Sequence, residues 1–174
     1  MSRKQYVFLT LLIVLVFPLL YPLFKAGFPI TDDADWFIIR FTAFYQALVQ
    51  GHFPVRWLGR LNFNYGYPVA NFNYPAYMYG AVLPKLLGFG FVASIKLVLG
   101  ISMVSASVFT FLWLKSVFNR TCALVGASVY IYHPYILFDL YQRGSMGEIL
   151  ALGVVPFVLW SIERKSRLWT AIGL

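Results

Sequence analysis

Between Lys4 and Lys25 lies QYVFLTLLIVLVFPLLYPLF, Gln5 to Phe24, about 20 residues without a charge. As a helix rising 1.5 Å per residue, this run matches the roughly 30 Å hydrocarbon layer of a bilayer. Inside that layer the backbone must satisfy its own hydrogen bonds, which leaves a helix as the natural solution. Three further runs have the same character: LVLGISMVSASVFTFLWL (97–114) between Lys96 and Lys115, TCALVGASVYIYHPYILF (121–138), and a fourth over 147–162 with Glu148 at its head. The chain therefore reads as an all-α polytopic membrane protein. Arg3 and Lys4 precede the first run (5–24) as in a signal peptide, but no small-x-small cleavage site follows, so it reads as a retained anchor. The pair His133-Pro134 predicts a kink near the end of the third span. After ERKSR, the closing LWTAIGL (168–174) reads as the start of a fifth span, so residues 1–174 are expected to be the amino-terminal piece of a larger membrane module.

Composition agrees: 60% of residues are hydrophobic, 20% aromatic and only 11% charged, beyond the apolar content of soluble domains. The formal charge of +8 invites a nucleic-acid reading, but the positive residues flank apolar runs instead of forming a soluble basic patch, so no nucleic-acid partner is expected. The single cysteine, Cys122, excludes an intrachain disulfide or thiolate cluster and reads as a small buried hydrophobe. His52 and His133 lack zinc-ligand spacing. His52 could serve as a base near neutral pH, or simply be a surface histidine ending a helix.

The stretch NYPAYMYGAVLPKLLGFG (73–90) decides the topology. If it does not cross, the short basic segments MSRK, KSVFNR and ERKSR share one side, as the positive-inside rule requires of the cytoplasm. Residues 75–87 are therefore expected to form an interfacial helix, with Tyr74, Tyr77 and Tyr79 at headgroup level. The amino terminus is then cytoplasmic, 25–96 is one large outer segment, and 139–146 is a second outer loop. Phe37, Phe41, Phe44 and Leu48 recur at helical spacing, predicting an amphipathic helix over 33–50 that ends at Gly51 and Pro54. Between Phe53 and Tyr74 the Asn, Tyr, Gly and Pro content suits an ordered aromatic loop. The sequon Asn119-Arg120-Thr121 falls on the cytoplasmic side and should be unmodified.

Three of the six acidic residues, Asp32, Asp33 and Asp35, crowd the start of that outer segment. Thr31 or Asp32 can cap the helix, and Asp32 with Asp35 has capping-box spacing. A carboxylate at the membrane rim can equally serve as general base or hold a hard divalent cation beside a phosphate, and Asp33 with Asp32 is the candidate. Arg40, seven residues on, shares its helix face. The second outer cluster supplies Asp139, Arg143 and Glu148. An i,i+4 pair of Asp139 with Arg143 can secure a helix end, while Arg143 can also bind phosphate through two parallel hydrogen bonds. Arg56 and Arg60 can meet phosphates of ordinary lipid headgroups or of a lipid substrate. Tyr65, Tyr67, Tyr74 and Tyr77 can stack on a sugar or form an aromatic belt.

In this order of features the chain resembles the type C superfamily of membrane glycosyltransferases. These begin with one span, open a large outer loop on an acidic pair, include helices lying along the membrane, and place another acid in the second outer loop. Asp32-Asp33 is similar to the first motif, the Pro75 helix to the interfacial helix, and Asp139 or Glu148 to the second acidic position. Where many such enzymes carry an acid before that helix, this chain has Asn71, Asn73 and Tyr74. More closely, GHFPVRW, NYGYPVANFNYPAYMY and YILFDLYQRGSMGE resemble large bacterial and archaeal membrane proteins labelled as related to 6-pyruvoyl-tetrahydropterin synthase. The chain shows no pterin-type histidine site. The resemblance implies a plasma-membrane glycosyltransferase using a polyprenyl-phosphate-linked sugar, with Asp33 as base, Asp139 beside it, and Mg or Mn as a possible cation on Asp33 and Asp139. Arg143, Arg56, Arg60, Arg40, Glu148, Tyr67 and Tyr74 would bind substrate. The fragment alone is expected to be inactive. A transporter or flippase of lipid-linked sugars, or a non-catalytic membrane assembly protein with the same fold, would use the same features differently.

The topology is testable in a Cys122→Ser background. A membrane-impermeant thiol reagent applied from outside should label Tyr65→Cys and leave Ser116→Cys unlabelled; the reverse pattern would invert the assignment.

Overall fold

The computed structural model describes residues 3–164 and Gly173, so all but Gly173 of the expected fifth-span start (168–174) lies outside the described residues. The described chain is all-α: α1 (Arg3–Leu20) with a 3-10 turn Tyr21–Phe24, α2 (Ala34–Val49), α3 (Ala76–Leu86), α4 (Phe91–Val117), α5 (Arg120–Ile131), α6 (Pro134–Phe138) and α7 (Met146–Glu163). Among the described residues, four helical stretches are long and apolar enough to cross a membrane: Tyr6–Phe24, Phe91–Val117, Arg120–Arg143 and Met146–Glu163. The protein is built as a polytopic membrane bundle.

Helix α4 is its centre. It packs on α7, α5, α3 and α1, and its buried face carries Ser94, Ser102, Ser107, Thr110 and Ala106 among larger apolar residues. Lipid tails are as apolar as leucine, so helices associate in a membrane by close contact between small residues. Gly153 of α7 lies against the backbone of Ser102, where even a methyl group would overlap the carbonyl, and Ser105 Oγ donates to the Gly153 carbonyl oxygen at 2.9 Å. Tyrosines knit other elements together: Tyr130 donates to the Leu152 carbonyl at 2.9 Å, Tyr132 to Leu15 at 2.6 Å, and Tyr141 to Leu19.

The α1–α4 connector folds onto this bundle. The predicted face of α2 is its packed face, with Phe37, Phe41 and Phe44 buried, and Gly51 in the left-handed region (φ +90°) ends the helix. Helix α3 has 11 residues, about 16 Å of rise, which is half the hydrocarbon thickness. It lies against α4 and α7, while Leu83, Leu86 and Leu87 stay exposed. Two of the expected headgroup aromatics are instead packing residues. Tyr77 is buried edge-on against Phe37, and Tyr79 packs edge-on against Phe44 with its hydroxyl accepting from the Val55 amide at 3.2 Å. A ring spans the gap between two short helices better than any aliphatic side chain. The ammonium of Lys85, which interrupts the apolar run, sits 4.8 Å from the Phe91 ring centroid. The loop beyond α2 is ordered by a bridge between Leu58 and Tyr67, with Asn62, Phe63 and Asn64 all left-handed at its tip. Cys122, expected to be buried, is exposed on the first turn of α5, where the Asn119 side chain accepts from its amide at 2.9 Å. That cap occupies the sequon's asparagine.

Replacing Gly153 by valine should separate α4 from α7 and lower stability by about 1–3 kcal/mol through overpacking. Gly100→Ala, whose added methyl meets nothing, should not. Thermal unfolding of the two variants in the same detergent checks this.

Candidate functional site

The His133-Pro134 pair breaks the third span as its chemistry requires, since proline cannot continue the hydrogen-bond ladder and restrains the residue before it. His133 Nδ1 then accepts from the Tyr135 amide at 3.2 Å and caps α6. After α6 the chain widens into a π-turn, Asp139–Arg143, closed by the Gly144 amide on the Asp139 carbonyl at 2.8 Å. Such turns recur at functional sites. Gly144 is left-handed (φ +78°), and any side chain there would overlap the Thr31 hydroxyl. At Gly147 a side chain would overlap the Tyr74 ring.

Onto this turn comes the start of the outer segment. The Asp32 amide donates to the Gln142 carbonyl at 2.9 Å and the Asp33 amide to the Arg143 carbonyl at 3.1 Å. These bonds place the two acidic groups, more than a hundred residues apart in sequence, at one end of the bundle. Asp33 occupies the N-cap position of α2, yet its side chain makes no capping bond. Thr31 and Asp32 do not cap either, and the Asp32–Asp35 box does not form: Thr31 Oγ1 is buried with no partner, and Asp32 and Asp35 are exposed. Main-chain carbonyls of the turn satisfy the amides of Asp32 and Asp33. Among the described residues, Asp32, Asp33 and Asp35 make no ion pair, so the Asp33 carboxylate, half-buried, is uncommitted.

The second acidic group divides into two roles. Glu148 is saturated: it accepts from Arg143 Nη1 at 2.8 and 3.0 Å, from the Tyr135 hydroxyl at 2.5 Å and from Ser145 Oγ at 3.3 Å. Asp139 is 0% exposed, and neither carboxylate oxygen has a hydrogen-bond partner. Its i,i+4 partner Arg143 is present but at 3.7 Å, drawn instead to Glu148. Asp139, a buried carboxylate without hydrogen bonds, is costly as an anion. Its two orphaned oxygens suit a hard divalent ion such as Mg or Mn. Among the described residues no group of three or more His, Cys, Asp or Glu side chains is placed to hold a metal ion.

The remaining candidates are distributed. Tyr74 is half-exposed above Gly147, beside the turn. Arg40 shares a face with Asp33 on α2 but stacks over the Phe37 ring at 5.6 Å. It also lies near the Tyr77 phenol, which burial pushes above its ordinary range while Arg40 pulls it back. Arg56 is elsewhere: with His52, Gln50 and Trp57 it lines a groove of about 320 Å³ at the far end of α2, whose length of about 24 Å separates it from Asp33. Arg60 and Tyr67 are exposed on the same loop. Tyr77 is too buried to stack on a sugar. Sequence reasoning did not single out Tyr135 as the partner of Glu148; the two are 13 residues apart across a broken helix, a separation with no local periodicity to signal it.

Glu148→Gln should release Arg143 and cost about 1 kcal/mol, the guanidinium being partly solvated. Asp139→Asn, which removes a buried charge lacking hydrogen bonds, should be neutral or stabilising. Paired unfolding curves distinguish the two carboxylates, and equal losses would contradict the division. Compared with protein-family models, with curated proteins and with solved structures, the chain gives no significant match, so its functional reading is carried by this geometry.

Proposed function

We propose that this chain forms the acidic centre of a membrane glycosyltransferase that moves a sugar from a polyprenyl-phosphate-type carrier to an acceptor on the outer face. The observation that supports it is the junction of Asp32 and Asp33 with the Asp139–Arg143 turn, which gathers an uncommitted carboxylate and a buried one at the same end of the bundle.

In this reading Asp33 accepts the proton of the acceptor hydroxyl as that oxygen bonds to the anomeric carbon. The bond from that carbon to the carrier phosphate breaks, and the electron pair leaves with the phosphate oxygen. A single displacement inverts the anomeric centre. Only one general base is needed, because phosphate leaves without a proton, unlike the sugar oxygen of a glycoside hydrolase. A divalent cation, when bound, neutralises charge on the leaving phosphate. Asp139 and Asp33 are the residues that would hold it. Asp139, fully buried, keeps that position dry, and Glu148 holds Arg143 beside it.

In the full-length protein, with a membrane extract supplying polyprenyl-linked sugars, Asp33→Asn should lower transfer by about 10²-fold or more, as expected for loss of a general base. Asp139→Asn should lower it comparably and flatten its dependence on added Mg or Mn. Transfer retained in Asp33→Asn at matched abundance would remove the proposed base.

A further inference from the structure

The loop that follows α2 carries a groove that the transfer chemistry does not use. About 320 Å³ in volume, it is lined by Ala47 and Gln50 from the end of α2 and by His52, Pro54, Arg56 and Trp57 from the loop, at the end of the helix opposite Asp33.

The main chain fixes this groove before any ligand arrives. The His52 amide donates to the Ala47 carbonyl at 3.1 Å and ties the loop to α2, while the Val55 amide donates to the Tyr79 hydroxyl at 3.2 Å. Val55 and Leu58 are buried, and Arg56 and Trp57 between them are exposed. Leu58 exchanges two main-chain hydrogen bonds with Tyr67, at 3.0 and 3.2 Å, which doubles the chain back on itself. Gly66, left-handed at φ +83°, is thereby set against the Trp57 indole so closely that any side chain at position 66 would overlap the ring. Trp57 remains 53% exposed, an aromatic platform backed by main chain. A ring already held in place lowers the ordering cost of binding.

The charge beside it is unbalanced. No Asp or Glu occurs between Asp35 and Asp139, and among the described residues no carboxylate lies within ion-pair distance of Arg56. Its guanidinium therefore brings a fork of donors to the groove without an anion to receive them.

We infer that this groove binds a sugar ring bearing a carboxylate. The apolar C–H face of a pyranose lies on an indole, the planar carboxylate matches the Arg56 fork with two parallel hydrogen bonds, and Gln50 and His52 offer polar partners to ring hydroxyls. Size points the same way: the volume is at the small end of ligand pockets and suits one ring. A phospholipid would bring acyl chains as well, for which Ala47, Pro54 and Trp57 supply no trough. Binding here goes beyond the transfer reading and does not depend on it, because a ring held at the opposite end of α2 from Asp33 is not the one that reacts.

The test measures binding without turnover. The full chain in phosphatidylcholine nanodiscs is titrated with methyl glucuronoside or methyl glucoside, and binding is read by saturation transfer from protein to sugar protons. The glucuronoside should bind about tenfold tighter, as expected for charge-assisted hydrogen bonds at an exposed site. Arg56→Ala should leave the two sugars equal, and Trp57→Ala should weaken both by about tenfold. Both side chains are exposed, so matching unfolding curves separate lost binding from misfolding. Asp33→Asn should bind as the parent does, which distinguishes this groove from the acidic centre. Absent glucuronoside binding, equal binding of the two sugars by the parent, or binding indifferent to both groove variants would overturn the inference. Displacement of the glucuronoside by inorganic phosphate at equal concentration would reassign the groove to phosphate and overturn it as well.

Discussion

Two main-chain hydrogen bonds, from the amides of Asp32 and Asp33 to the carbonyls of Gln142 and Arg143, tie the outer segment to the broken end of the third span. Each side needs the other. The π-turn leaves carbonyls that no helical amide reaches, and the approach to α2 brings amides that no helical carbonyl reaches. At a membrane rim such groups are expensive to leave unpaired, and a helix end presenting carbonyls attracts one presenting amides. Gly144 is the local condition for this contact, since a side chain there would strike Thr31.

That junction determines what the acids can do. Because main-chain carbonyls pair the amides of Asp32 and Asp33, Asp33 stands at a cap position without capping, and its carboxylate stays available. Because Glu148 collects Arg143, Tyr135 and Ser145, Asp139 is left buried without a hydrogen bond despite an arginine four residues away. Carboxylates so close in chemistry thus acquire opposite surroundings, one bonded on every side and one buried without a hydrogen bond. The centre of α4, with its small polar residues and the Gly153 contact, packs closely against α7, the helix that carries Glu148.

The same bundle is tight on one side of α4 and loose on the other. Toward α7, backbones touch; on the side facing Leu20 and Leu23, Gly100 lines an open apolar groove of about 930 Å³. A glycine whose missing side chain opens onto space serves a different end from one whose missing side chain admits a neighbour. Gly100 and Gly153 cannot be told apart in the sequence.

What the sequence determined by itself was mostly local. The uncharged runs placed four long helices, the phenylalanine spacing over 33–50 marked the packed face of α2, Gly51 its end, and His133-Pro134 the break in the third span. Each follows from sums or periods over one to five turns of chain, which is all that hydropathy and backbone preference require. The tertiary structure alone decided that Tyr77 and Tyr79 pack inside instead of lining a headgroup belt, and that Arg56 joins Gln50 and His52 in a groove at the end of α2 opposite Asp33. It also decided that Glu148, not Asp139, takes the arginine. The physical reason is that a side chain's partner is chosen by short-range contact between segments far apart in the chain, and no periodicity along the sequence carries that distance.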